Sequence, residues 1–210
     1  MIRNLLIAML MLASFPIGAT TYTMESDYTQ LVFWWNHLGF SHPAAQLAQG
    51  GGTLEYDPAD PTRSSVTVTI PLSSLSTGVP ALDEHLRSKD FFDTDNFKTA
   101  VFKSTKVEKG PAKDRLRVTG DLNLHGITRV VTLDVTLLNV GTNPRNQLPT
   151  IGFDATTSLK RSEFGLGKFV PQVKDEIQIR IAAQAAEAKA YAEYLRAQAA
   201  EEAAEAAAKK

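Results

Sequence analysis

The chain has 210 residues with 22 Lys and Arg against 23 Asp and Glu, a formal charge of −1, and no cysteine. The missing thiols exclude disulfide frameworks, thiolate metal sites, Fe–S clusters and cysteine nucleophiles. The balanced charge argues against the basic surplus by which nucleic-acid binders neutralise phosphate, and a hydrophobic content of 43% is that of an ordinary globular protein.

The first residues read as a secretory signal. Arg3 supplies the positive charge and Leu5 to Phe15 a short apolar run, and Pro16 with the small Gly18 and Ala19 marks a cleavage site after Ala19. The run is short for a bilayer span, so an uncleaved anchor is the weaker alternative. Cleavage would leave a soluble, exported protein that relies on core burial instead of disulfides.

From residue 20 onward the dominant signal has period 2. An aromatic run, Tyr28–Leu38, is followed by Gln46–Tyr56, within which Gly50, Gly51 and Gly52 read as a bulge or bend. Val66, Val68 and Ile70 alternate with threonines, and Phe97–Val107 adds another extended segment. Leu116, Val118, Gly120, Leu122 and Leu124 alternate with polar residues. So do Val131, Leu133, Val135 and Leu137; then Ile151, Phe153, Ala155 and Leu159; then Ile177, Ile179 and Ile181. Such alternation is what half-buried antiparallel strands require, because successive side chains face opposite sides. The turn signals between them include Asp57-Pro58-Ala59-Asp60-Pro61, Lys109-Gly110-Pro111, Asn143-Pro144 and His125-Gly126, the last predicting a tight hairpin.

Only one helical pattern interrupts the series, from Pro80 to about Lys89, with Leu82 and Leu86 on one face and Thr77 or Gly78 as its cap. From Ala182 to Ala208 the composition changes to Ala, Glu, Gln and Lys, which predicts a C-terminal helix. Its large apolar residues are Tyr191, Tyr194 and Leu195, so it reads as a solvated helix or, alternatively, as a surface for a protein partner or dimer.

The pattern thus divides the chain into a signal peptide (1–19), one domain (20–181) and a helical tail (182–210). The domain is predicted to be all-β: about eight antiparallel strands closed into an up-and-down barrel, which removes unpaired edges. A two-sheet sandwich is the competing arrangement. A barrel of this size is either filled by its own side chains or holds one apolar ligand, and its strand lengths give a long slot suited to a chain-like lipid.

Five motifs stand in order along this domain: His37-Leu38-Gly39-Phe40-Ser41; Ser76-Thr77-Gly78 leading to Asp83-Glu84-His85-Leu86-Arg87-Ser88-Lys89-Asp90-Phe91-Phe92; Phe102-Lys103-Ser104-Thr105; Gly120-Asp121-Leu122-Asn123-Leu124-His125-Gly126-Ile127-Thr128; and Arg161-Ser162-Glu163-Phe164-Gly165. In this spacing, residues 22–181 closely resemble the YceI-like family of exported, lipocalin-like barrels that bind polyisoprenoids. The chain departs from the family at Ala45-Gln46-Leu47, where Gly-x-Phe is usual, and in its Ala-rich tail. The resemblance implies a lipocalin-like barrel located in the periplasm. It further implies a binder or carrier of a long isoprenoid, such as a polyprenyl phosphate or isoprenoid quinone, with no cofactor and no chemistry on the ligand.

The residues expected to line the lipid slot are Phe33, Trp35, Phe40, Val68, Leu82, Leu86, Phe91, Phe102, Leu122, Leu133, Phe153 and Phe164, although plain core packing needs the same apolar surface. Phe33 and Trp35 share the inward face and Trp34 the outward one. Arg161 and Lys168 flank a Gly-containing loop with Phe164 and Phe169 and are the candidates for holding a phosphate headgroup, for which Arg has bidentate geometry. The competing reading pairs Arg161 with Glu163 and leaves the lysines solvated. His37, His42, His85 and His125 lack the convergence of a metal site and read as structural. Ser73, Ser74 and Ser76 near His85 read as turn residues, and no catalytic motif is recognisable.

Overall fold

The computed structural model describes residues 18–48 and 50–209; the expected signal peptide lies outside the described residues except for Gly18 and Ala19. Ten extended segments follow: β1 (Thr20–Met24), β2 (Gln30–His37), β3 (Ala44–Ala48), β4 (Gly51–Tyr56), β5 (Ser65–Pro71), β6 (Thr99–Lys109), β7 (Arg115–Leu124), β8 (Ile127–Thr142), β9 (Pro149–Lys160) and β10 (Val173–Glu187). A short helix, α1 (Pro80–Arg87), separates β5 from β6, and α2 (Ala188–Ala208) follows β10.

All pairings are antiparallel, and neighbours in sequence from β4 to β10 are neighbours in the sheet. β10 closes the ring. Its Ala185–Glu187 stretch pairs with β1 and its Val173–Ala182 stretch with β2, while β3 pairs with β2 and β4 with β1. β1 and β2 are therefore two halves of one broken strand, as are β3 and β4, and the whole is a closed eight-stranded barrel. The expected single strand Gln46–Tyr56 is divided at the glycines: a Cβ on Gly52 would lie 2.0 Å from the Thr67 carbonyl oxygen, so only glycine lets β4 approach β5 there.

Local chemistry fixes the connections. His125 (φ 53°) and Gly126 (φ 74°) both take positive φ, the requirement of a two-residue turn that matches strand twist, and they join β7 to β8 as expected. Helix α1 starts at Pro80 with Val79 in the cap position, in place of Thr77 or Gly78. Thr77 acts from one step further out, its backbone N and Oγ1 both donating to Asp83 Oδ1 at 2.6 Å. Pro80 sits in the first turn, where its missing N–H costs nothing.

The tail helix begins at Ala188 and not at Ala182. Residues 182–187 stay in β10 because each is laddered to a neighbouring strand and Ala182, Ala185 and Ala186 on both edges, Ala185 with Met24 and with Ile151, and Ala185 and Ala186 are fully buried. Two ladders outweigh the helical preference of alanine. The Glu187 carboxylate then accepts from the backbone N–H groups of Lys189 and Ala190 and starts α2, whose residues beyond Tyr194 are exposed.

Three buried clusters support the barrel. One lies under α1 and includes Phe33, Trp35, Leu72, Leu75, Leu86 and Phe164; the other two line the walls toward the tail, around Tyr22, Leu54 and Ile151 and around Phe102, Val118 and Val135. The barrel thus has an α1 end, where α1 and the 161–172 loop lie across the strand ends, and a tail end, where α2 departs.

Candidate functional site

Inward-facing residues enclose a hollow of two chambers. The tail-end chamber has a volume of about 170 Å³ and the α1-end chamber about 470 Å³, within the usual range of about 300–1,000 Å³ for small-molecule sites when taken together. Leu31, Leu47, Ile70, Leu122, Leu159 and Ile179 border both chambers and form an apolar waist between them. Among the described residues no charged side chain lines the tail-end chamber, whereas the α1-end chamber is bordered by Arg161, Lys168, His37 and His85.

Ile70, Leu122, Leu133, Leu159, Ile179 and Ile181 all face inward, yet each is only half-buried. An aliphatic side chain inside a filled barrel would be covered on every side. These are open on the lumen side, so the barrel is not plugged by its own side chains. Gly120 helps to shape the wall: a Cβ there would stand 2.6 Å from Phe102 Cζ and 2.4 Å from the Lys103 carbonyl oxygen, so the phenyl ring occupies the space a side chain would need.

Most of the expected lining residues meet here. Phe33, Trp35, Leu82, Leu86 and Phe91 face the α1-end chamber; Val68, Phe102, Leu133 and Phe153 face the tail-end chamber; Leu122 faces both. Two do not line either chamber. Phe40 is 90% exposed, because Leu38 (φ 57°) and Gly39 (φ 81°) reverse the chain after β2 and end the strand alternation before reaching it. Phe164 is buried, but in the core beside a helical turn (Arg161–Phe164), where its carbonyl oxygen lies 3.1 Å from His125 Nδ1.

The two expected headgroup cations border the α1-end chamber, and both are engaged. The Arg161 guanidinium donates to four backbone carbonyls: Nε to Lys174 at 3.0 Å, Nη1 to Lys168 at 2.8 Å and to Leu166, and Nη2 to Val173 at 2.8 Å. Burial pushes its pKa below the ordinary value, and the Asp175 carboxylate pulls it back. Its partners are these carbonyls and not Glu163. Lys168 Nζ forms an ion pair with Asp90 and lies 5.3 Å from the Phe169 ring centroid. The pair, led by the hydrogen bond from Lys168, holds the Asp90 carboxyl below its usual range.

The histidines are dispersed. His125 packs against Phe97 at 4.4 Å between ring centroids, His42 Nε2 lies 3.3 Å from Asn36 Nδ2, and His85 stands edge-on to Phe91 at 4.9 Å. Among the described residues no three His, Asp or Glu side chains converge as metal ligands. Ser74 Oγ donates to the Pro71 carbonyl and accepts from Ala48 N, and Ser76 Oγ accepts from Gly78 N, both within turns. The wall residues outside the expected lining include Leu47, His85 and Phe169, of which the sequence reads His85 as structural and Phe169 as part of the cation-bearing loop. Leu47 could have been found, since it alternates with Ala45 in the short β3.

Residues 22–185 match the family model described as the YceI-like domain. The chain is 32% identical over 188 residues to Protein YceI of Shigella flexneri, covering 89% of this chain and 97% of that protein. It is 34% identical over 163 residues to a UPF0312 protein of Vibrio cholerae, covering 76% and 85%. Among solved structures it resembles the YCEI protein of Campylobacter jejuni (TM-score 0.64, 25% identity, 72% of this chain and 88% of that one). It shares the fold of a polyisoprenoid binding domain from Saccharophagus degradans (TM-score 0.58, 14% identity, 80% and 99%).

Proposed function

The chain belongs to the YceI-like family, and on that premise we propose that it is a periplasmic carrier that holds a long-chain isoprenoid lipid in its barrel without chemical change. The observation that carries the reading is the open apolar lumen, whose inward aliphatic side chains remain half-accessible for want of anything packed on them. Burying one five-carbon isoprene unit against such a wall is worth about 4 kcal/mol gross, at ~0.8 kcal/mol per methylene-sized group. A chain of several units can therefore outweigh the entropy lost on ordering it. The name of the Saccharophagus degradans neighbour supports a polyisoprenoid as the guest.

Export rests on the apolar leader and its small-residue site. The first strand, β1, starts at Thr20, immediately after the expected cleavage point, so processing would leave the barrel whole.

The test is to purify the protein from its host, extract it with organic solvent and analyse the extract by mass spectrometry. A stoichiometric isoprenoid is expected, along with a mature N-terminus at Thr20. Folded protein that neither carries a prenyl lipid nor takes one up when offered would overturn the reading.

A further inference from the structure

We propose that the seam between β8 and β9 is a side door through which the guest's chain enters and leaves the lumen. This rests on the carrier reading and adds a route to it.

The barrel wall is incompletely laddered at this seam. β8 pairs with β9 only from Asp134 onward, with Asp134 opposite Thr156. Continuing that register would set Leu133 against Thr157 and Val130 against Lys160, yet no ladder forms there. Each stretch keeps its partner on the other edge, residues 127–133 with β7 and residues 157–160 with β10. The strands therefore part without either one fraying. Between them lies a cavity of about 450 Å³, bordered by Arg129–Thr132 of β8, Thr157–Leu159 of β9 and the helical turn at Glu163 and Phe164.

Two contacts frame the opening. Where the ladder begins, Thr157 Oγ1 donates to the Thr132 carbonyl at 2.8 Å; at the opposite end the Phe164 carbonyl lies 3.1 Å from His125 Nδ1. Among the described residues the Thr157 bond is the only side-chain hydrogen bond across the unladdered stretch. The gap leads inward. Val131, Thr157 and Leu159 border both it and the tail-end chamber, and Leu159 also belongs to the waist. A chain laid in at the waist reaches both chambers at once, whereas one entering at the α1 end must thread the waist end-on.

The seam is also the weaker barrier. Opening it breaks one hydroxyl hydrogen bond, while lifting the 161–172 loop would strand the four carbonyls that Arg161 holds. The outer lining of the gap is polar, with Thr132, Ser158 and the Arg117–Asp134 ion pair at 3.7 Å, so water can solvate the strand edges once they separate. On the inner side Val131 and Leu159 offer apolar surface to the chain.

The chain has no cysteine, so the seam can be tied selectively. In Thr132→Cys/Ser158→Cys the two thiols are joined as a disulfide or through a short bis-maleimide. Thr136→Cys/Asp154→Cys, across a laddered part of the same strands, is the control. The exported protein, delipidated, is mixed with phosphatidylcholine vesicles carrying a long-chain prenol, and loading is followed by Trp35 fluorescence in stopped flow. Tying the seam should slow loading and release alike by at least about tenfold and leave the equilibrium affinity unchanged, since a gate acts on both directions of passage. Reducing the disulfide should restore the rate. Thr157→Val, which needs no linkage, should load about fivefold faster for the loss of one hydrogen bond. Loading of the tied protein at the unaltered rate, or equal slowing of the control, overturns the side door and leaves the carrier reading standing. Unchanged loading in a folded Thr157→Val protein overturns it as well. Absence of loading in the folded, unaltered protein overturns both.

Discussion

At the scale of single residues, the polar side chains that matter most act on backbone. Arg161, one of two candidates for a headgroup contact, ties β9's end to the loop leading into β10 through four carbonyls. Replacing it with Met should cost about 3 kcal/mol or more in urea unfolding, because several buried acceptors lose their donor together. Arg161→Lys should recover little, since an ammonium cannot span the same fork. Asp57 does similar work at the tail end. Its Oδ1 accepts from the backbone N of Asp60 at 3.0 Å and of Ala59 at 2.9 Å, and its other oxygen pairs with Arg63. The Asp60 hydrogen bond first, then that of Ala59 and the Arg63 charge, hold its carboxyl below the ordinary value although burial pushes the other way. A depressed folded pKa means that the stabilisation is complete above the unfolded value of about 4 and fades as pH falls through the folded one. Asp57→Asn should therefore lower the thermal midpoint at pH 7, and its deficit relative to the unaltered protein should shrink as the pH is taken toward 3.

At the scale of elements, strand alternation carried most of the information. Each period-2 run from Val66 to Ile181 became a wall strand, and the His125-Gly126 hairpin formed where two such runs met. What the alternation could not convey was where long strands break or end. The interruptions between β1 and β2 and between β3 and β4 depend on how a closing ring meets itself, and only the glycines at 50–52 hinted at one of them. Ala182–Glu187 read as helix because alanine favours helix locally, but these residues are held by partners distant in sequence, Met24 and Ile151 among them. Arg161's role was illegible for another reason: its acceptors are main-chain carbonyls, which leave no trace in residue identity. The tail beyond this point is a helix in little contact with the barrel. Tyr191 and Tyr194 are half-buried near its start, and residues 195–209 are exposed. Truncation after Leu195 is expected to leave the unfolding free energy within about 0.5 kcal/mol of the full chain, as for other exposed surface changes. A larger loss would mean that the outer turns of α2 pack on the body.

At the scale of the whole molecule, the carrier reading makes the two-chamber lumen the determinant of ligand length. The aliphatic residues that border both chambers form the waist between them, to which Leu122 contributes from β7 and Leu159 and Ile179 from β9 and β10. A short chain fits within the α1-end chamber, whereas a long one must pass the waist to bury its far units. Leu122→Trp narrows that passage while adding apolar volume to space that is empty, so it should leave the fold and thermal midpoint intact or raise the latter slightly. The affinity for a long prenol should then fall at least about tenfold, equivalent to losing roughly two buried methylene-sized groups or more. A prenol short enough for the α1-end chamber should bind as before. Trp35 on that chamber's wall gives a fluorescence signal for binding, provided the introduced Trp is subtracted using a Leu122→Phe control. If long and short chains lose affinity equally, the waist does not gate length, and the chain must lie wholly on one side of it.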